Sequence, residues 1–196
     1  MKILFLDFDG VITTHKTRYK LDLEKIVYIL EILKDTDAKI VVASSWKHGY
    51  KTVEEFKSYL KECDPCFIPK ELKDNAYYDC FIHSIIGITE TFGHSRGDEI
   101  KKYIDDNGVT QYCILDDNSD MLDEQLFNFI QTDYVYGISE REAELCIQVL
   151  NDIEVINPIR MNLELITRWR NNSSDIVYMQ NDIKDKLSLY RSKFKK

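Results

Sequence analysis

Apolar positions along the chain fall into two rhythms. Lys2–Leu6, Lys39–Ala43 and Tyr112–Leu115 are short unbroken apolar runs, bounded by charge, glycine or serine. Runs of that length and composition read as buried strands. Between them apolar residues recur at three- and four-residue spacing. Residues 22–34 place Leu23, Ile26, Val27, Leu30 and Leu33 on one side, and a second stripe joins Val53, Phe56, Tyr59 and Leu60. A third joins Ile100, Tyr103 and Ile104. Each is the pattern of an amphipathic helix lying on a sheet. Thr52 with Glu55, Ser95 with Asp98 and Ser139 with Glu142 are spaced as capping boxes, and Asn107-Gly108 is a helix stop. Phe81–Ile88 and Phe129–Tyr136 are rich in β-formers and predict two further strands, whereas residues 11–20 and 63–79 lack a pattern. Strands that alternate with helices predict an α/β fold, a Rossmann-like parallel sheet covered on both faces. In such sheets ligands bind beyond the carboxyl ends of the strands.

The pattern changes at Asn157-Pro158. Pro158 opens a helix with Met161, Leu165, Ile166 and Trp169 on one side, and Asn171–Ser174 breaks it. Ile176, Met179, Ile183, Leu187 and Tyr190 then form one narrow stripe. Residues 1–156 are therefore expected to form the α/β domain. Residues 157–196 are expected to form a helical extension, packed on that body or on a second copy of the chain as a homodimer.

Composition narrows the class. At 196 residues, with 44% hydrophobic and 31% charged, the chain has the make-up of a soluble globular protein. The first apolar run meets Asp7 too soon for a signal peptide, and no stretch approaches a membrane span, so a cytoplasmic protein is expected. The net charge of −8 is uneven: residues 157–196 hold nine Lys and Arg against four Asp and Glu, leaving the acidic excess to the rest. A basic extension on an acidic body suits contact with an anionic partner or a solvated helix end. The odd cysteine count of five fits reduced thiols. Cys63, Cys66, Cys80 and His83 have a spacing that a structural zinc site would use, and an interaction protein built around zinc is one alternative.

The chemistry gathers at strand ends. Asp7 and Asp9 close the first strand one residue apart, so both face one site, and Gly10 lets the chain turn away. Two anions held so close need a cation or a proton between them. Ser44 and Ser45 end the second strand, and Asp116 and Asp117 end the strand at 112–115.

The stretch Asp7-Phe-Asp9-Gly10-Val-Ile resembles the first motif of the haloacid dehalogenase-like phosphohydrolases. The resemblance implies that Asp7 is a nucleophile forming an aspartyl-phosphate, Asp9 the general acid/base, and Mg2+ the cofactor. It further implies that Ser44 binds phosphate through its hydroxyl, that Arg96 offsets charge, and that Asp116-Asp117 completes a metal site with Asp7 and Asp9. Gly10, Ser45 and Lys101 are expected to help bind substrate, and Asp120 to orient a metal water or cap a helix. Ser44-Ser45-Trp46 and Arg96-Gly-Asp-Glu99-Ile100 are similar to motifs of a subgroup found in RNA-repair proteins, akin to the 3′-phosphatase domains of phage polynucleotide kinases. With room for no large cap, the site is expected to be open to a phosphorylated nucleic-acid end. A nucleotide or sugar phosphate is the alternative substrate, and a non-catalytic binding module using the basic extension is the reading from another class.

Overall fold

The computed structural model describes residues 1–65 and 76–151. The expected extension at 157–196 lies outside them. Five strands form one parallel sheet: β1 (Lys2–Leu6), β2 (Lys39–Val42), β3 (Ile85–Ile88), β4 (Gln111–Asp116) and β5 (Phe129–Gln131). Their order is β3-β2-β1-β4-β5, with all pairings parallel. The helices are α1 (Leu23–Thr36), α2 (Val53–Glu62), α3 (Ala76–Ser84), α4 (Arg96–Asn107) and α5 (Glu140–Leu150). This is the expected Rossmann-like architecture.

The central strand explains its own sequence. Leu4 and Leu6 of β1 enter one core with residues of α1, α2, α3 and α5. Ile3 and Phe5 enter a second core on the opposite face with Ile100 of α4. A strand covered on both faces reads as an unbroken apolar run. On α1 the buried positions are Leu23, Ile26, Ile29, Ile32, Leu33 and Thr36. The buried stripe is thus turned slightly from the expected one, with Leu30 on its margin. Asp22 accepts the N–H of Glu24 (3.0 Å) to start the helix, and Asp37 ends it in a left-handed conformation.

Two expected strands shorten. Phe81–Ile88 divides: residues through Ser84 complete α3, and only Ile85–Ile88 pairs with β2. Tyr78, Phe81 and Ile82 are spaced three and four apart, so the apolar run also makes a helix face, and all three are buried. The Ser84 hydroxyl then donates to the Cys80 carbonyl (2.9 Å), within the helix's last turn. In Phe129–Tyr136, only Phe129–Gln131 pairs as strand. The Asp133 side chain accepts the Val135 N–H (2.8 Å) and its carbonyl accepts the Gly137 N–H (2.7 Å), which turns the chain out of the sheet.

Strand order reverses on either side of β1, making the carboxyl ends of β1 and β4 the switch point of the sheet. The ladder continues past the strands. Asp7 donates its N–H to the Leu115 carbonyl (3.0 Å), Ala43 to Leu6 (2.9 Å), and Thr132 to Asp116 (3.1 Å). Asp7, Ser44 and Asp116 therefore leave three adjacent strands at one level.

Candidate active site

At that level Asp7, Asp116 and Asp117 bring three carboxylates together, each offering an oxygen within 4.8 Å of the others. Asp7 and Asp116 are buried, and Asp117 is half-buried. Burial of the charged form pushes the Asp7 carboxyl up to about 7 against the pull of Arg96, with Ser44 lowering it and Asp117 raising it. Asp116 is raised well above the ordinary range by burial and then by Asp7, and Asp117 is raised by burial, with Asp9 also raising it. Three anions in such surroundings are costly until a cation joins them. An all-oxygen carboxylate set suits a hard dication such as Mg2+.

Gly10 makes the close approach of Asp117 feasible. Its φ is +72°, and a Cβ there would stand 2.5 Å from Asp117 Cγ. The Thr132 hydroxyl donates to the Gly10 carbonyl (2.8 Å), and Gln131 Nε2 to the Asp117 carbonyl (2.8 Å), so the two loops hold each other.

Arg96 enters from the first turn of α4 and spreads its fork over three carboxylates. Nη2 lies 3.7 Å from Asp7 Oδ1, Nε 3.4 Å from Asp116 Oδ2, and Nη1 3.1 Å from Glu99 Oε2. The start of α4 is held by Asp120, whose carboxylate accepts the Arg96 N–H (3.0 Å). Asp120 thus braces the first turn of α4, whose N-cap is Ser95, from a distant part of the chain, a role the sequence did not suggest. The Ser95–Asp98 box forms as well, with Ser95 Oγ accepting the Asp98 N–H (3.1 Å).

Glu99 is a hub that the sequence alone does not reveal. Its Oε2 also accepts from Lys47 Nζ (2.8 Å) and Thr89 Oγ1 (3.3 Å). Lys47 is buried, and burial lowers its pKa against the opposing pull of Glu99. The one available signal was position: Lys47 lies in the turn just after Ser44, at a strand end. Ser44 is fully buried, bonds the Asp7 carboxyl, and accepts the Trp46 N–H (3.4 Å). Ser45 is exposed at the start of the same turn.

Asp9 stands outside the three-carboxylate set. Its Oδ1 accepts from Thr13 Oγ1 (2.8 Å) and from the indole Nε1 of Trp46 (3.0 Å). The structure thus gives Asp9 organic donors where the sequence reading paired it with metal. Lys101 is half-exposed on α4 and pairs with Asp105 and Glu124, both at 3.2 Å, whereas Arg96 begins the same helix over the strand ends.

The zinc reading gains no support. Cys66 lies outside the described residues, and among the described residues Cys63, Cys80 and His83 form no ligand cluster. His83 Nδ1 instead lies 2.7 Å from the Asp79 carbonyl of its own helix. No helix of the described residues is long and apolar enough to cross a membrane. Beside Arg96 a groove of about 270 Å³ opens to solvent, lined by His48, Phe92, His94, Asn118 and Asp120.

Comparison with protein families matches residues 3–143 to the family described as the HAD domain in Swiss Army Knife RNA repair proteins. No curated protein and no solved structure matches.

Proposed function

Because this chain belongs to the HAD domains of Swiss Army Knife RNA repair proteins, we propose that it is a Mg2+-dependent phosphomonoesterase acting on phosphate-terminated nucleic-acid ends. The observation that carries the reading is the convergence of Asp7, Asp116 and Asp117 at the switch point, with the Arg96 fork across them. The family membership supports phosphatase-type chemistry at that place.

Asp7 attacks phosphorus as the ester oxygen departs with the P–O electron pair and takes a proton from Asp9. Asp9 then removes a proton from water, which attacks the phosphoryl group on Asp7 and restores the carboxylate. Arg96 presents a planar fork to the phosphate oxygens, and the Ser44 hydroxyl orients Asp7. Asp7, Asp116 and Asp117 would hold Mg2+, which would supply the positive charge that lets a carboxylate approach a phosphate dianion. The groove beside Arg96 gives the rest of the substrate room. The acidic balance of the chain favours a small phosphate ester instead.

A substrate panel separates the two. With Mg2+, phosphate released from oligonucleotides carrying a 3′-phosphate, at higher kcat/KM than from mononucleotides or sugar phosphates, is the expected result. Preference for the small esters would move the substrate to metabolism, and no release from any ester would end the phosphatase reading.

A further inference from the structure

Resting on the phosphatase reading, we propose that Trp46 is a positioning residue that fixes which oxygen of Asp9 meets the leaving group. Asp9 sits on a tight loop after β1, in which the Phe8 carbonyl accepts the N–H groups of Val11 (3.2 Å), Ile12 (3.0 Å) and Thr13 (2.9 Å). That loop brings the buried Thr13 back beside Asp9, with Oγ1 2.8 Å from Oδ1. Trp46 comes from the turn after β2, and its indole Nε1 lies 3.0 Å from the same oxygen. Two donors from different parts of the chain converge on Oδ1.

The two donors differ in kind. A hydroxyl donates or accepts, but an indole N–H only donates. Oδ1 must therefore turn a lone pair toward Trp46, and the proton of a protonated Asp9 is left to Oδ2. Thr13 alone would not impose this choice, because its hydroxyl could accept a proton from Oδ1. The indole is braced in turn, 5.4 Å from the ring of Phe8 and 6.3 Å from that of Tyr59, centre to centre. Trp46 thus ties the loop of the nucleophile strand to the turn of its neighbour and aims the general acid.

In the first half-reaction a bond forms from Asp7 to phosphorus and the P–O bond to the alcohol breaks. The departing oxygen keeps the electron pair and takes the proton from Asp9 Oδ2. An aryl oxide leaves as a stable anion and needs little help, whereas an alkyl or ribosyl oxide needs the proton. Loss of the indole N–H frees the carboxyl to rotate, so the damage grows with the basicity of the leaving group.

The test compares kcat/KM, which covers the steps through departure of the alcohol, for a nitrophenyl phosphate and for glycerol phosphate in wild type and Trp46→Phe. The expected result is a fall of about 10- to 100-fold for glycerol phosphate, part of what a general acid contributes, with less than about a 2-fold change for the aryl ester. Equal falls, or no fall, overturn the proposal. A second measurement needs no turnover. The chain has two tryptophans, so a 15N spectrum of the whole protein shows two indole N–H resonances. One must move in Asp9→Ala, and two unmoved resonances overturn the proposal even if Trp46→Phe does not fold. Wild type that releases phosphate with Mg2+ from neither of these esters nor a 3′-phosphate oligonucleotide refutes the phosphatase reading and the role of Trp46 with it. Hydrolysis of both with unchanged leaving-group preference refutes the role of Trp46 alone.

Discussion

Replacing Asp7 by Asn should make the metal-free protein more stable while abolishing turnover. Asp7 is buried, and its carboxyl is raised from 3.8 to about 7, chiefly by desolvation. A carboxyl raised on folding is harder to ionise in the folded state than in the unfolded one. Its ionisation therefore costs stability, in full above pH 7, and the cost fades as pH falls from about 7 toward the unfolded value near 4. Three units at 1.36 kcal/mol each correspond to about 4 kcal/mol at pH 8. Asn keeps the shape without the charge but leaves Arg96 one carboxylate fewer, so a net gain of about 2–4 kcal/mol is expected. For a chain of this size that is a rise in Tm of about 5–15 °C. Thermal or urea unfolding in chelator at pH 8 and pH 4 measures it. The variant should gain strongly at pH 8 and little at pH 4, and saturating Mg2+ should narrow the gap by stabilising wild type. A variant less stable than wild type at pH 8, or a gain that ignores pH, would refute the electrostatic reasoning.

Three other substitutions probe the surroundings. Glu99→Gln leaves Lys47 and Arg96 without their shared anion, so a loss of about 3 kcal/mol in urea unfolding is expected, partly recovered by adding Lys47→Met. Gly10→Ala strains a positive φ and drives a methyl into Asp117. It should cost about 1–3 kcal/mol and weaken Mg2+ binding in calorimetry. Lys101→Ala should change stability by less than about 1 kcal/mol and leave kcat/KM unchanged in the phosphate-release assay, because its partners are exposed.

The sheet and three of its strand ends were legible because burial on both faces writes an unbroken apolar run, and carboxylates at its end need a reason to be there. Asp7, Ser44 and Asp116-Asp117 followed from that logic and Arg96 from the family resemblance, and the structure brings them together. Lys47 and Glu99 did not, since they are 52 residues apart and only the tertiary fold pairs them. Trp46 was visible as part of a motif, but nothing local says that its N–H reaches Asp9. The α3 region was misread because Phe81-Ile82 serves a helix face as readily as a strand, and Tyr78 decided the period. Nor does the sequence say that Lys101, a turn and a half into α4, pairs with Asp105 and Glu124.

The central claim is that Asp7 becomes covalently phosphorylated. Acid-quenched wild type and Asp9→Asn, mixed with Mg2+ and a nitrophenyl phosphate, whose leaving group needs no proton from Asp9, can be digested and the peptide carrying Asp7 weighed by mass spectrometry. The account predicts one added phosphoryl group on Asp7, accumulating in Asp9→Asn, where water lacks its base, and absent in Asp7→Asn. Turnover by wild type with Asp7 unmodified in both proteins, or phosphate release undiminished in Asp7→Asn, would contradict it.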